Sequence, residues 1–252
     1  MEPFAARLAQ LLLPHGFDLL APFVAQAYNS DAAGGLGALP PLPTFGRIHT
    51  SALVIGNSKA LWPCFVRHLA RDADALSSEN PLDDYCRDRI GECVAEACSG
   101  HSDGTPAFKF ALRWSTDTGD GFVDILRAAQ LSGVAYRDNE LHLCVHPTFG
   151  PWIALRAVLV ADRDACAGGL RARPLVEHPF PGTRRDARAK LEELKAAGGF
   201  NEWSKHWRGW VELRLTAGRE VPTAAYSDDQ IEYHYTKSRS RLAAAVEAAR
   251  TH

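Results

Sequence analysis

The stretch Trp152-Ile153-Ala154-Leu155-Arg156-Ala157-Val158-Leu159-Val160 constrains this chain more than any other, because all of its residues but one are apolar. It follows Phe149-Gly150-Pro151, a break that separates it from Cys144-Val145-His146. A run of this length without alternation predicts a strand buried on both faces, since neither side meets water. Arg156 stands in its middle. A guanidinium keeps its proton in a protein interior, so burying it is costly unless a carboxylate, carbonyls or a bound anion meets it. The strand alone allows two readings: an internal ion pair with an Asp or Glu elsewhere, or a cation kept for an anionic ligand.

The rest of the chain supplies partners for such a strand. Phe4, Leu8, Leu11 and Leu12 recur at helical spacing and predict an opening amphipathic helix that ends near Pro14-His15-Gly16. Residues 30–45 form a Gly/Pro-rich loop, Ser51–Ile55 a short strand, and a helix from about Ser58 carries Leu61, Phe65 and Leu69 on one face. Asn80-Pro81-Leu82-Asp83-Asp84 predicts a helix start capped by Asn80, with Leu82, Cys86, Ile90, Cys93 and Ala97 as its buried stripe. Phe108, Phe110, Leu112 and Trp114 alternate as in a half-buried strand. Asp120 caps a helix with Phe122, Ile125, Leu126 and Ala129, stopped at Gly133. A hairpin follows over residues 134–146, with Leu141, Leu143 and Val145 on one side and His142, Cys144 and His146 on the other. A charged helix near 185–197 closes at Gly198-Gly199, and a last helix begins at the Ser227-Asp228-Asp229-Gln230 capping box. Strands in the middle and helices at both ends, without regular βαβ alternation, predict an α+β fold with a central, mainly antiparallel sheet flanked by helices.

Composition narrows the function. A net charge of −2 and no basic stripe give no electrostatic case for nucleic acid. No run approaches the roughly eighteen apolar residues a membrane span needs, and the start Met1-Glu2-Pro3-Phe4 lacks the basic opening of a signal peptide. Cys64, Cys86, Cys93, Cys98, Cys144 and Cys166 show neither CxxC nor paired zinc spacing, and ten histidines form no HExxH. The expectation is reduced thiols in the cytoplasm and no metal held by protein side chains. There is no GxSxG, GxGxxG or phosphate loop.

Three constellations remain. His142, Cys144 and His146 share a strand side next to the Arg156 run. Trp203, Trp207 and Trp210 supply either a platform for a flat ligand or closure of a core. Lys237, Arg239 and Arg241, with Arg214 before them, form either a solvated face or a carboxylate grip. No residue of these three presents itself as a nucleophile or acid–base catalyst.

Taken in order, several blocks carry a resemblance. They are His15-Gly16-Phe17-Asp18, Pro22-Phe23 and Ala27-Tyr28-Asn29; Leu39-Pro40-Pro41-Leu42-Pro43-Thr44; Asn80-Pro81-Leu82-Asp83; and Cys144-Val145-His146-Pro147 running on to Phe149-Gly150, Trp152, Ala154 and Arg156. Phe200-Asn201, His206-Trp207-Arg208-Gly209-Trp210, Tyr226-Ser227-Asp228-Asp229-Gln230 and Arg241-Leu242-Ala243 complete the set. The chain so resembles the cobalamin-processing proteins of the methylmalonic aciduria and homocystinuria type C family, cyanocobalamin reductase and alkylcobalamin dealkylase.

That resemblance implies one cobalamin-processing domain over 1–252, similar in fold to flavin nitroreductases and helical from about 185. It implies binding of cobalamin with its lower base detached, removal of cyanide with reduced FMN or FAD, and removal of alkyl groups with glutathione. Carried over by motif, Ile125, Leu126, Cys144 and Leu155 line the cobalamin site, and Arg156, Arg214 and Arg241 hold glutathione. The implied partners are corrinoids and a downstream cobalamin-trafficking protein, for a monomer or a homodimer. Gln130 stands where the family often has His, the 136–144 connection is short, and Pro151 replaces a glycine. A flavin-dependent nitroreductase-like oxidoreductase and a non-catalytic cobalamin chaperone are the alternatives to the enzyme.

Overall fold

The computed structural model describes residues 3–32, 39–99 and 107–250. In chain order its elements are α1 (Pro3–Leu12), β1 (Leu19–Val24), α2 (Ala25–Ala32), β2 (Thr50–Asn57), α3 (Leu61–Arg71), α4 (Ala73–Ser77), α5 (Pro81–Cys98), β3 (Phe110–Trp114) and α6 (Ile125–Leu131). The hairpin β4 (Tyr136–Asp138) and β5 (Leu143–Val145) comes next, then β6 (Ala154–Asp164), α7 (Ala167–Leu170), α8 (Arg184–Ala196), α9 (Trp207–Ala217), α10 (Asp228–Thr236) and α11 (Arg239–Arg250).

β6 lies inside a four-stranded sheet of order β1-β2-β6-β3, in which every pair is antiparallel. Ala157, Val158, Leu159, Val160 and Ala161 are all fully buried, as the unbroken apolar run requires. On one face Leu53, Ile55, Leu159 and Ala161 pack against α1, α3, α5 and α11. On the other, Ala52, Val54, Val158 and Val160 pack against Phe23, Tyr28, Val123, Ile125 and Ala128. The architecture is therefore α+β, an antiparallel sheet with helices on both faces. β4 and β5 form a separate two-stranded ladder, and Leu141 and Leu143 seat it against Leu191, Leu194, Trp210 and Leu213 of α8 and α9.

The register carries an irregularity that matters for the site. Ile55 pairs with Ala157, but the next residue, Gly56, pairs with Leu155, so Arg156 has no partner in β2. Arg156 is the extra residue of a β-bulge, a device that re-aims side chains. In a regular strand Leu155 would share a side with Leu159, four residues on. Instead Leu155 packs with Val158 and Val160 on the opposite face, beside Leu126 and Cys144. Gly56 makes room for this: a Cβ there would lie 2.8 Å from the Ala154 carbonyl oxygen.

Four local expectations are corrected. α5 begins at Pro81 as predicted, but the Asn80 side chain makes no capping bond; Asp83 and Asp84 supply the favourable charge in the first turn. Asp120 sits in a 3-10 turn, Gly119–Gly121, that opens on a glycine at φ +58° and cannot continue a helix. The cap of α6 is Asp124, which accepts the Arg127 N–H at 3.1 Å, and Phe122 is left outside the helix. The last helix is two: Lys237, at φ +54°, ends α10, and Ser238 then caps α11 by accepting the Arg241 N–H. The predicted loop over 30–45 overlaps the end of α2, and its residues 33–38 lie outside the described residues.

Gly56→Ala drives a methyl group into backbone that no rotamer change can clear. We expect a loss of about 1–3 kcal/mol in unfolding free energy, read as a lower urea midpoint at unchanged slope.

Candidate functional site

The bulge places Arg156 at one end of the sheet, where β6, α6, the hairpin, α9 and α10 enclose a cavity of about 510 Å³. That volume lies within the range of small-molecule sites. Ile125, Leu126, Leu143, Cys144, Ile153 and Leu155 give it an apolar wall. The wall is clamped where Arg137 of the hairpin meets Asp124, the cap of α6, at 2.8 Å. Burial pushes the Cys144 thiol up to about 12, so it stays protonated and serves as a small apolar surface rather than a nucleophile.

Aromatic rings form a second wall. Trp203 and Trp210 lie 4.5 Å apart between ring centroids, Phe200 meets Trp210 edge-on at 5.0 Å, and Trp203 stacks on Tyr235 at 5.8 Å. Trp210 is buried while Trp203 is 48% exposed, so one indole closes the core and the other offers a free surface. Trp207 turns away to pack beside Trp152 and Tyr226.

The remaining wall is polar and positively charged. Arg156 Nε donates to Asn57 Oδ1 at 2.8 Å. Asn57 is itself fixed, its amide donating to the Ser58 carbonyl at 2.8 Å, and Ser58 donates to Asp18 through both its N–H and its hydroxyl. The carboxylate nearest in this chain of contacts is thus occupied by serine, and the arginine is held by a neutral amide. Among the described residues no carboxylate pairs with Arg156, and its Nη2 is shielded from solvent without a hydrogen-bond partner. Of the two readings of the strand, the internal ion pair is excluded among the described residues. Arg214 of α9 also lines the cavity, its guanidinium about 6 Å from the Trp152 and Tyr235 ring centroids.

Tyr226 and His234 complete this wall, with ring centroids 5.5 Å apart. Burial first, then the positive charge of Arg156, Lys237 and Arg214, holds His234 well below the usual histidine range, so it is neutral near pH 7. Burial raises the Tyr226 phenol, which is therefore also neutral.

Six of the seven residues that the resemblance assigned to ligands meet here: Ile125, Leu126, Cys144, Leu155, Arg156 and Arg214. Arg241 does not. It lies on α11, half-exposed, with Nε 2.8 Å from Glu232 and Nη1 3.8 Å from Asp229. Arg239 is spent on the carbonyls of Leu76, Ser78 and Glu79. His142 lines the cavity together with both Leu143 and Cys144, because its φ of +54° breaks the expected alternation. His146 does not line it; Nδ1 accepts the N–H groups of Thr148 and Phe149 and fixes the turn before β6. Asn57, Tyr226, His234 and Tyr235 were not singled out from the sequence. The usable signal was Asn57, a polar residue closing a strand whose every position is buried.

Among the described residues no group of three His, Cys, Asp or Glu side chains is placed to hold a metal ion, and no helix is long and apolar enough to cross a membrane.

No family model matches the chain. Cyanocobalamin reductase / alkylcobalamin dealkylase of Homo sapiens is 26% identical over 262 residues, covering 96% of this chain and 82% of that protein. The proteins of the same name from Bos taurus and Danio rerio are 25% and 23% identical, again over 96% of this chain. A crystal structure of the C. elegans B12-trafficking protein CblC, described as a homologue of human MMACHC, superposes with a TM-score of 0.64. It shares 18% identity and covers 99% of this chain and 95% of that one. The resemblance drawn from the motif blocks thus extends over nearly the whole sequence, and the fold agrees.

His15, His146, His178 and His234 are all held below the ordinary histidine value, in each case chiefly by burial. The unfolded chain then binds more protons than the folded one between the folded values and about 6.5. Stability is complete above pH 6.5 and falls as pH drops below it. Urea unfolding between pH 7.5 and pH 5 should show this decline, and His234→Gln should lessen its slope by up to about 1.4 kcal/mol per pH unit, one proton's share.

Proposed function

We propose that this chain is a cobalamin-processing enzyme, which binds cobalamin with its lower base detached and removes the upper axial ligand. Cyanide would leave reductively and alkyl groups by transfer to glutathione. The single structural observation that carries this reading is Arg156: a guanidinium with its Nη2 shielded and unpartnered, met by no carboxylate among the described residues, facing a cavity with an apolar wall. The similarity to cyanocobalamin reductase / alkylcobalamin dealkylase over 96% of the chain supports it. We read the antiparallel sheet with its flanking helices as the flavin nitroreductase-like fold the resemblance implies, and the chain as one domain acting in the cytoplasm.

In this reading Ile125, Leu126, Cys144 and Leu155 receive the apolar parts of the corrinoid, each buried aliphatic group contributing on the order of 1–2 kcal/mol. Arg156 and Arg214 take the anionic groups of glutathione. A free thiol ionises near 8.5, and neighbouring cations lower that value, so more of it is thiolate at neutral pH. The thiolate forms an S–C bond as the Co–C bond breaks, and the electron pair of that bond stays with cobalt. The chain's own residues supply position and charge. For decyanation, reduced FMN or FAD supplies the electrons, and the open face of Trp203 beside Tyr235 is what this chain offers a flat ring.

Titration of methylcobalamin should shift its absorption spectrum at micromolar protein, and added glutathione should then discharge the methyl group. An unshifted spectrum refutes the proposal. Arg156→Gln and Asn57→Asp separate the two steps. Both should leave the corrinoid shift intact and lower kcat/KM for glutathione roughly 10- to 100-fold, the worth of one charge-assisted hydrogen bond. Asn57→Asp acts by supplying the missing carboxylate without changing shape.

A further inference from the structure

Three hydrogen-bonding atoms are shielded from solvent and have no partner, and their side chains line the same cavity: Arg156 Nη2, Tyr226 Oη and His234 Nε2. One orphan of this kind is an oddity. Three at one cavity are costly together unless a ligand meets them. They come from two distant parts of the chain: the bulge of β6, and α10 with the residues that lead into it. Tyr226 is only 6% exposed and is seated against Trp152, 5.4 Å between ring centroids, so its hydroxyl has little freedom to seek another partner. His234 lies against Tyr226.

The chemical character of this wall is uniform. A guanidinium only donates, while a phenol and a neutral imidazole can each donate one hydrogen bond. Arg214 adds a second cation, and Lys237 follows His234 by three residues. Among the described residues no carboxylate lines the cavity, and the nearest one along the contact chain, Asp18, is taken up by both donors of Ser58. Such a surface accepts a group that only accepts hydrogen bonds and bears negative charge. An ionised carboxylate has that character, whereas an ammonium does not.

We infer that Tyr226 and His234 are binding residues that, with Arg156, receive a carboxylate of the thiol co-substrate and so select acidic thiols over neutral ones. The inference rests on the proposed use of glutathione and assigns its recognition to two residues outside the arginines. Neither residue exchanges a proton with the thiol in this role. Both act on affinity for the acid end, so they govern the choice between thiols rather than the intrinsic rate of transfer.

The experiment is calorimetric and uses the full chain without corrinoid. S-methylglutathione, which cannot react, is compared with its diethyl ester, in which both carboxylates are capped. The wild-type chain should prefer the acid at least tenfold. Tyr226→Phe and His234→Leu should each reduce that preference three- to tenfold, and His234→Gln, which keeps an N–H donor, should restore most of it. Tyr226→Phe keeps the ring, so a folding defect in His234→Leu leaves a second variant to decide. Equal binding of acid and ester by the wild type overturns the inference, as does an unchanged preference in both variants. Methylcobalamin binding, measured in parallel, separates the failures: a wild type blind to corrinoid refutes the enzymatic reading, whereas lost acid selectivity with corrinoid binding intact refutes only this assignment.

Discussion

Everything at this site depends on a cation held by an amide. Arg156 is fixed through Nε to Asn57, which contributes position without charge. A carboxylate in the same place would have returned a satisfied, inert ion pair. The neutral contact leaves the guanidinium oriented and its charge unspent. The fold tolerates this because the same strand buries Ala157 to Ala161 completely in the middle of the sheet. Anchoring the arginine to the fully buried middle of the sheet keeps it in place without a charged partner among the described residues.

The surroundings keep that charge steady. His234 and Tyr226 both remain neutral near physiological pH, the first held low and the second held high by burial. Arg156 and Arg214, the cations that line it, then define the electrostatics of the cavity. Cys144, protonated for the same reason, adds an apolar patch in place of a competing thiolate. Burial thus does different work on each group, yet every effect leaves the cavity without an anionic side chain among the described residues.

Much of the fold was legible where a physical period repeats. The buried stripe of α5, the β6 run and the α8 stop at Gly198 all follow from side-chain spacing or a glycine conformation. What escaped was decided by single torsions. Lys237 and His142 adopt positive φ, which L-residues seldom do, and each breaks a pattern that hydropathy would have continued. Arg214 was found and Arg241 was not brought to the cavity for a related reason. One turn in α10–α11 points Arg241 at Glu232, and nothing in the local sequence distinguishes a cation that meets its own chain's acid from one that does not. Tyr226 and His234 were invisible because their significance lies in lacking a partner, which only a folded chain can show.

The extra residue in β6 has a further consequence. Here Leu155 and Arg156 are adjacent on a single peptide, and the kink at Gly56 decides which way each of them looks. Deleting Arg156 would restore regular pairing and remove the guanidinium, yet Leu155 would then stand two positions before Val158 and keep the face it already shares with it. The charged wall is thus one extra residue laid over an otherwise regular strand, whereas the apolar wall belongs to the strand itself.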